Sequence, residues 1–332
     1  MPKNKTTLKE LSSILGFSIS TISKALNGSN EISTITKKRV IETAKKYNYR
    51  PNKIALGLKF GKTYTIAVII PSVQNSFFAR ALYGIESVIS STKYSSIICL
   101  TGESHEKEVS NFDVLSNGVV DGFIVAASLE TQTLGDFNHF SNVLNEGKSL
   151  VMFDSVIDEI PCTKVKTNDY AAISKATKNL ISSNRKKILL LSTIYNSNVG
   201  KQRTEGYKKS MIDADLEPLI LESNIDEIEM CLENYIIKNK IDAVIASDND
   251  SSFVTYKVAK KLQKAIPDDI AVIGYTSELI AGYLIPELTT INQHSFTMGK
   301  TAAKLLLDQL EAKNNTHQTF IINSTLSKRN SS

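Results

Sequence analysis

The period of the apolar positions changes partway along the chain. Over residues 7–47 apolar side chains return every three or four places; beyond residue 63 short, nearly unbroken apolar runs alternate with longer amphipathic stretches. The first pattern belongs to helices with one buried face, and the second to strands buried on both faces. In the first segment Leu8, Leu11, Ile14 and Leu15 share a face behind T-L-K-E, where Thr7 and Glu10 have the spacing of a capping box. Gly16 then ends the helix in a left-handed turn, and Phe17 packs between it and the next. Ser18 caps a second helix, I-S-T-I-S-K-A-L-N, closed by Gly28. Ser33 caps a third, with Val40, Ile41, Ala44 and Tyr47 as its buried stripe, and Pro51 stops it. Two short helices around a glycine turn predict a helix-turn-helix.

The longer segment predicts strands over 65–71, 95–101, 122–127, 149–154, 186–192, 218–221, 243–247 and 270–275. Helices are expected near 78–92, 106–117, 169–184, 203–214, 227–239, 251–265 and 296–311. Strands separated by helices imply parallel sheets covered on both faces, and eight of them exceed one comfortable sheet, so two α/β lobes are expected. The tail 327–332 is expected to fray.

Charge sharpens this division. Residues 1–60 carry twelve Lys and Arg against three acids, Glu10, Glu31 and Glu42, a formal +9; the chain total of +5 leaves −4 for the rest. A small basic head on a larger acidic body predicts a polyanion-binding module fused to something else. On the second helix Ile22, Ala25 and Leu26 face the first helix, while Ile19, Ser20, Ser23, Lys24 and Asn27 lie opposite. That outer face holds no acid to repel phosphate, and its short polar side chains suit base edges in a major groove.

The remaining chemistry is mostly exclusion. Hydrophobic residues make up 42% of the 332, an ordinary globular value, and no apolar run reaches the roughly 20 residues of a membrane span. The start, MPKNKTTLKE, lacks the apolar stretch of a secretory signal, so a cytoplasmic location is expected. Cys99, Cys162 and Cys231 are too scattered for a disulfide framework or a zinc site, and no metal or other cofactor is expected. No G-x-G-x-x-G follows the first strand, and neither a phosphate-binding G-x-x-x-x-G-K-[ST] nor a G-x-S-x-G nucleophile turn occurs. Asp248, Asn249 and Asp250 lack the Gly and Glu of a calcium loop. An enzyme is therefore not the expected reading.

The run T-L-K-E-L-S-S-I-L-G-F-S-I-S-T-I-S-K-A-L-N-G resembles the headpiece of LacI/GalR-type transcription regulators, and N-Y-R-P-N-K-I-A-L-G-L-K resembles their hinge. Phe17, Ile22 and Lys24 stand where that family usually has Val, Val and Arg or His. The resemblance implies an all-α helix-turn-helix headpiece (1–50), a hinge helix and linker (51–62) and an α/β periplasmic-binding-protein-like body of two lobes with parallel sheets (63–332). It places the N-lobe at 63–161 and 293–320 and the C-lobe at 162–290 and 321–332, with crossings near 161–165, 289–294 and 320–323. Ile19, Ser20 and Lys24 match base-reading positions; Thr7, Ser18, Thr21, Ser23, Asn27, Ser33 and Asn52 match positions that touch DNA backbone or seat the helices. Ala55 and Leu58 match hinge residues that enter the minor groove, where an apolar wedge unstacks one base step. Ile19 departs from the family's polar or aromatic residue; it can meet a thymine methyl but donates no hydrogen bond.

In the body the resemblance implies a ligand between the lobes, and Asn75, Phe77, Phe78, Asn168, Arg203, Asp248 and Thr276 match its contacts. Phe77 and Phe78 would stack on a sugar ring, although Phe78 reads equally well as lobe core. Arg203, in Q-R-T-E-G-Y, offers planar paired donors to vicinal hydroxyls or a carboxylate. Thr276 stands where the family commonly has Asp, which loosens the expectation of a sugar. The function implied is a homodimeric repressor. It would bind a pseudo-palindromic double-stranded DNA operator, with its affinity set by a small carbohydrate-like effector.

Overall fold

The computed structural model describes residues 6–49, 62–312 and 316–332. The hinge segment, with Asn52, Ala55 and Leu58, lies outside the described residues. The chain divides after Thr63 into two compact units.

The first unit is built from α1 (Leu8–Leu15), α2 (Ile19–Leu26) and α3 (Thr34–Lys46). Thr7 N–H donates to Glu10 Oε2 at 2.6 Å and Glu10 N–H to Thr7 Oγ1 at 3.2 Å, closing the capping box. Gly16 adopts φ +71°, left-handed as a helix end requires. Ser18 and Ser33 cap α2 and α3 by accepting from the Thr21 and Thr36 N–H groups. Leu11, Leu15, Ile22, Ala25, Val40 and Ala44 form the core, with Phe17 and Tyr49 packed at its edge. Ile41 and Tyr47, expected in the buried stripe of α3, are both exposed. Val40 and Ala44 already fill the space over α1 and α2, and a unit this small has only one side to bury.

The second unit holds two six-stranded sheets. The first has the order β11–β5–β4–β3–β1–β2, all parallel, from β1 (Thr65–Ile70), β2 (Ser95–Leu100), β3 (Gly122–Val125), β4 (Ser149–Phe153), β5 (Thr163–Thr167) and β11 (Thr319–Ile322). The second has the order β12–β10–β9–β8–β6–β7, from β6 (Ile188–Ser192), β7 (Leu219–Glu222), β8 (Ala243–Ala246), β9 (Ala271–Gly274), β10 (Thr289–Asn292) and β12 (Thr325–Ser327). β12 alone runs antiparallel there. Each sheet is covered on both faces. In the first lobe α4 (Ser76–Ile89) and α13 (Ser295–Ala312) pack on one face, and α5 (His105–Ser116) and α7 (Asn138–Asn145) on the other. In the second, α8 (Asp169–Ser182) and α9 (Asn198–Ile212) lie opposite α10 (Ile228–Asn239) and α11 (Asn249–Lys261). Burial on both faces explains why the central strands read as unbroken apolar runs. α4 and α13 nearly touch. A Cβ on Gly84 would lie 2.1 Å from the Phe296 carbonyl oxygen and one on Gly299 1.9 Å from that of Ala81, so both positions require glycine.

The chain leaves the first lobe after β5, returns after β10 and leaves again after β11. The first crossing therefore follows Thr167 and is not at 161–165, and β11 keeps Ile321 and Ile322 in the first lobe. β5, T-K-V-K-T, was hidden by its lysines. Lys164 is buried, and its Nζ turns aside to donate to the Ile160 carbonyl at 2.6 Å. The short strands β10 and β12 were likewise unmarked by apolar runs, and the run in β11, F-I-I, is only three residues long. Helix α9 starts at Asn198, five residues before its expected start, because Ser197 caps it by accepting from Gly200 N–H at 2.9 Å. α6 (Leu129–Leu134), α7 and α12 (Glu278–Ala281) were not anticipated. The tail is not frayed: Ser331 is fully buried, its Oγ donates to the Val272 carbonyl at 2.6 Å, and its own carbonyl accepts from Val272 N–H at 2.7 Å.

Candidate nucleic-acid interface and ligand cleft

α2 turns Ile22 and Ala25 inward, which puts Ile19, Ser20, Lys24 and Asn27 outward and exposed. Ile19 leaves about half its surface open, at 48%. Ser18 and Thr21 share a hydroxyl contact of 2.8 Å at the start of the helix, and Ser23 is half-buried. Thr7 and Ser33, both exposed, serve as caps. One feature departs from the expected face. Glu31, from the loop after α2, forms an ion pair with Lys24. No acid stands on the helix, yet one reaches it from outside.

In the body the loops at the carboxyl ends of the strands converge on a cleft of about 340 Å³ between the lobes. This is where open parallel sheets place ligands. Six of the seven expected residues line it: Asn75, Phe77, Phe78, Arg203, Asp248 and Thr276. Asn168 does not. It is exposed and caps α8 by accepting from Ala171 N–H at 3.1 Å, while its neighbour Asp169 turns inward and is buried.

Arg203 is held on three sides. Its Nε donates to Asp169 Oδ1 at 2.8 Å, Nη2 lies 2.7 Å from the same oxygen, and Nη1 donates to the Ser247 carbonyl. Its guanidinium carbon sits 3.8 Å from the centre of the Tyr275 ring. Burial pulls the guanidinium pKa down, but Asp169, Tyr275 and Asp154 outweigh it and the net shift is upward, so Arg203 stays charged. Asp248 is equally committed. One oxygen caps α11 by accepting from Ser251 N–H at 2.8 Å, and the other accepts from Thr193 N–H at 2.8 Å and from the Ser251 hydroxyl. The Thr276 hydroxyl donates to Asn249 Oδ1 at 2.9 Å.

The opposite wall is more open. Asn75 caps α4 by accepting from Phe77 N–H at 2.9 Å. Phe77 meets Phe78 edge-on at 5.2 Å between ring centres, and Phe78 is buried against Phe153. Phe77 is therefore the aromatic available to a ligand, and Phe78 is mainly the wall behind it. Asp154 follows β4 in a left-handed conformation, φ +57°, and accepts from the Ser155 hydroxyl at 3.1 Å. Burial, with repulsion from Asp169 and Glu103, pushes its carboxyl up to about 7 against the pull of Arg203 and Ser155. The Tyr275 hydroxyl is buried and has no hydrogen-bond partner among the described residues, and burial pushes its phenol pKa up. Asp154, Tyr275 and Gln132 line the cleft although no motif marks them. The signal they offered was position: an acid in F-D-S and a tyrosine in G-Y-T, each one residue past a strand.

Residues 7–52 match the family described as bacterial regulatory proteins, lacI family, and residues 177–332 match the periplasmic binding protein-like domain. The chain is 28% identical to the HTH-type transcriptional repressor PurR of Vibrio campbellii over 98% of both chains. It is similar in structure to a lac repressor dimer bound to operator and the anti-inducer ONPF, with a TM-score of 0.86 and 19% identity over 99% of each chain. A LacI family transcriptional regulator from Enterococcus faecium with bound ribose superposes with a TM-score of 0.73 and 25% identity, over 80% of this chain and 98% of that one. With a lacI-family helix-turn-helix over residues 7–52 and a periplasmic-binding-protein-like body matched over 177–332, the chain is a DNA-binding transcription regulator.

Proposed function

We propose that the protein is a homodimeric cytoplasmic repressor whose hold on a pseudo-palindromic operator is set by a small hydroxyl-rich ligand, a sugar of monosaccharide size, bound between the lobes. The observation that carries this reading is the cleft itself, which pairs an aromatic face, Phe77, with the fixed guanidinium of Arg203 across about 340 Å³. That volume lies at the small end of the roughly 300–1,000 Å³ range of small-molecule sites. A ring with an apolar face and vicinal hydroxyls fits an aromatic on one side and a planar donor on the other. The ribose bound by the Enterococcus faecium regulator is a ligand of this kind.

The polar groups of the cleft support binding over catalysis. Arg203, Asp248 and Thr276 already hold Asp169, Ser251 and Asn249, so they orient a ligand and do not activate one. On the DNA side Lys24 and Ser20 would meet base edges and Ile19 a thymine methyl, while the caps of α2 and α3 would sit against phosphate. The ligand controls DNA only if it binds the two lobe arrangements with different affinity.

The test is anisotropy of the full chain on fragments from upstream of its own coding region, at two salt concentrations. Tight binding to one fragment, weakened by salt and lost in Lys24→Ala, is expected. Equal, weak binding to every fragment would sink the reading.

A further inference from the structure

Away from the three crossings, two hydrogen bonds join the lobes among the described residues, and both come from Asn198. Its backbone N–H donates to Gln132 Oε1 at 2.9 Å, and its side-chain Nδ2 donates to the Val156 carbonyl at 3.0 Å. Asn198 is the first residue of α9 in the second lobe; Gln132 on α6 and Val156 after β4 belong to the first. The first N–H groups of a helix have no partner within it. Ser197 satisfies that of Gly200, whereas that of Asn198 is satisfied by a side chain from the other lobe.

The orientation of Gln132 is set from behind. Its Nε2 donates to the Ala127 carbonyl at 3.0 Å, which leaves Oε1 as the outward acceptor. α6 itself is anchored to its lobe by buried groups. Glu108 accepts from Ser128 N–H at 2.8 Å and from the Thr131 hydroxyl at 2.7 Å, and lies 3.1 Å from the buried His139 ring. Glu103 accepts from Leu129 N–H at 2.6 Å. An arm held this firmly does not bend away from its own lobe. Breaking its outer bond removes one of the two ties between the lobes. Gln132, Ser197 and Val199 also line the cleft, so the bridge stands at the wall of the ligand space.

We infer that Gln132 and Asn198 form a latch that holds the two lobes closed. The inference rests on the proposed reading of the cleft as a ligand-driven clamp. It is tested without any ligand. Spin labels are placed at the exposed Glu146 and Lys175, one in each lobe of the full chain, with Cys99 and Cys231 replaced by serine. The labelled chain is diluted in unlabelled chain so that distances within one chain report by double electron–electron resonance. Asn198→Pro is the sharpest variant, since proline is favoured at a first helical position yet removes both donors. It is expected to raise the open fraction about tenfold, the scale of two ordinary hydrogen bonds, with an unchanged thermal transition. Gln132→Ala is expected to act in the same direction and more weakly, because the bond to Val156 remains. Distance distributions that superimpose on the wild type in both variants overturn the latch. Because no ligand enters this measurement, a panel of sugars that fails to bind the wild-type chain counts against the proposed function alone.

Discussion

The two lobes share a three-layer build but furnish the cleft differently. The second lobe presents side chains whose hydrogen bonds are already spent: Asp248 on α11 and Thr193, Arg203 on Asp169 and Ser247. The first lobe presents an aromatic ring, a carboxyl near neutrality in Asp154, and an amide arm. On one wall Arg203 and Asp248 are fixed by bonds that also hold the fold. The other can change with little cost to folding. On the proposed reading, the second lobe would meet a ligand's fixed polar pattern and the first its shape.

This contrast can be broken at several points. The largest effect is expected from Arg203→Ala, which leaves Asp169 buried without its cation. Stability should fall by about 3–5 kcal/mol, and ligand binding should vanish in calorimetric titration. Asp248→Ala should cost about 2–4 kcal/mol in denaturant unfolding, because a helix cap goes and the Thr193 N–H is stranded. Phe77→Ala, on the opposite wall, should cost only about 1–2 kcal/mol while weakening a sugar about tenfold. Equal stability losses in Asp248→Ala and Phe77→Ala would erase the distinction between the walls.

Asp154 supplies a pH signature. Its folded carboxyl is raised from 3.8 to about 7, so the folded chain keeps a proton that the unfolded chain has lost. Stability contributed by that proton is present at low pH and declines as pH rises from about 4 to about 7. Asp154→Asn should therefore raise the melting temperature at pH 8, with the gain fading toward pH 4. A gain that is the same at both ends would mean the carboxyl is not held neutral. The smallest effect is expected from Thr276→Asp. It returns a carboxylate acceptor beside Asn249, which can turn its amide to donate, and should tighten a polyhydroxyl ligand a few-fold.

The headpiece was legible because its signals are local. The caps at Thr7, Ser18 and Ser33 and the turn at Gly16 lie within four residues of what they control. The apolar central strands were legible for the same reason. What escaped depends on partners far along the chain. β5 looks polar until Lys164 finds the Ile160 carbonyl, and Asp154 becomes notable only when folding brings Asp169 and Arg203 beside it. Asn168 stands outside the cleft because, one place further on, Asp169 takes the inward position. Glu31 reaches Lys24 from seven residues away through a loop that no periodicity describes.

On the proposed function, a ligand in the cleft controls DNA held by the headpiece. The most direct measurement is anisotropy of the full chain on its selected DNA fragment, titrated with D-ribose and other monosaccharides, in parallel with Arg203→Met. One sugar is expected to shift the midpoint of the wild type at least about tenfold, within the usual range of coupling between sites, and to leave the variant unmoved. A sugar that binds the wild type in calorimetry without moving its DNA midpoint, or that moves wild type and variant alike, would contradict it.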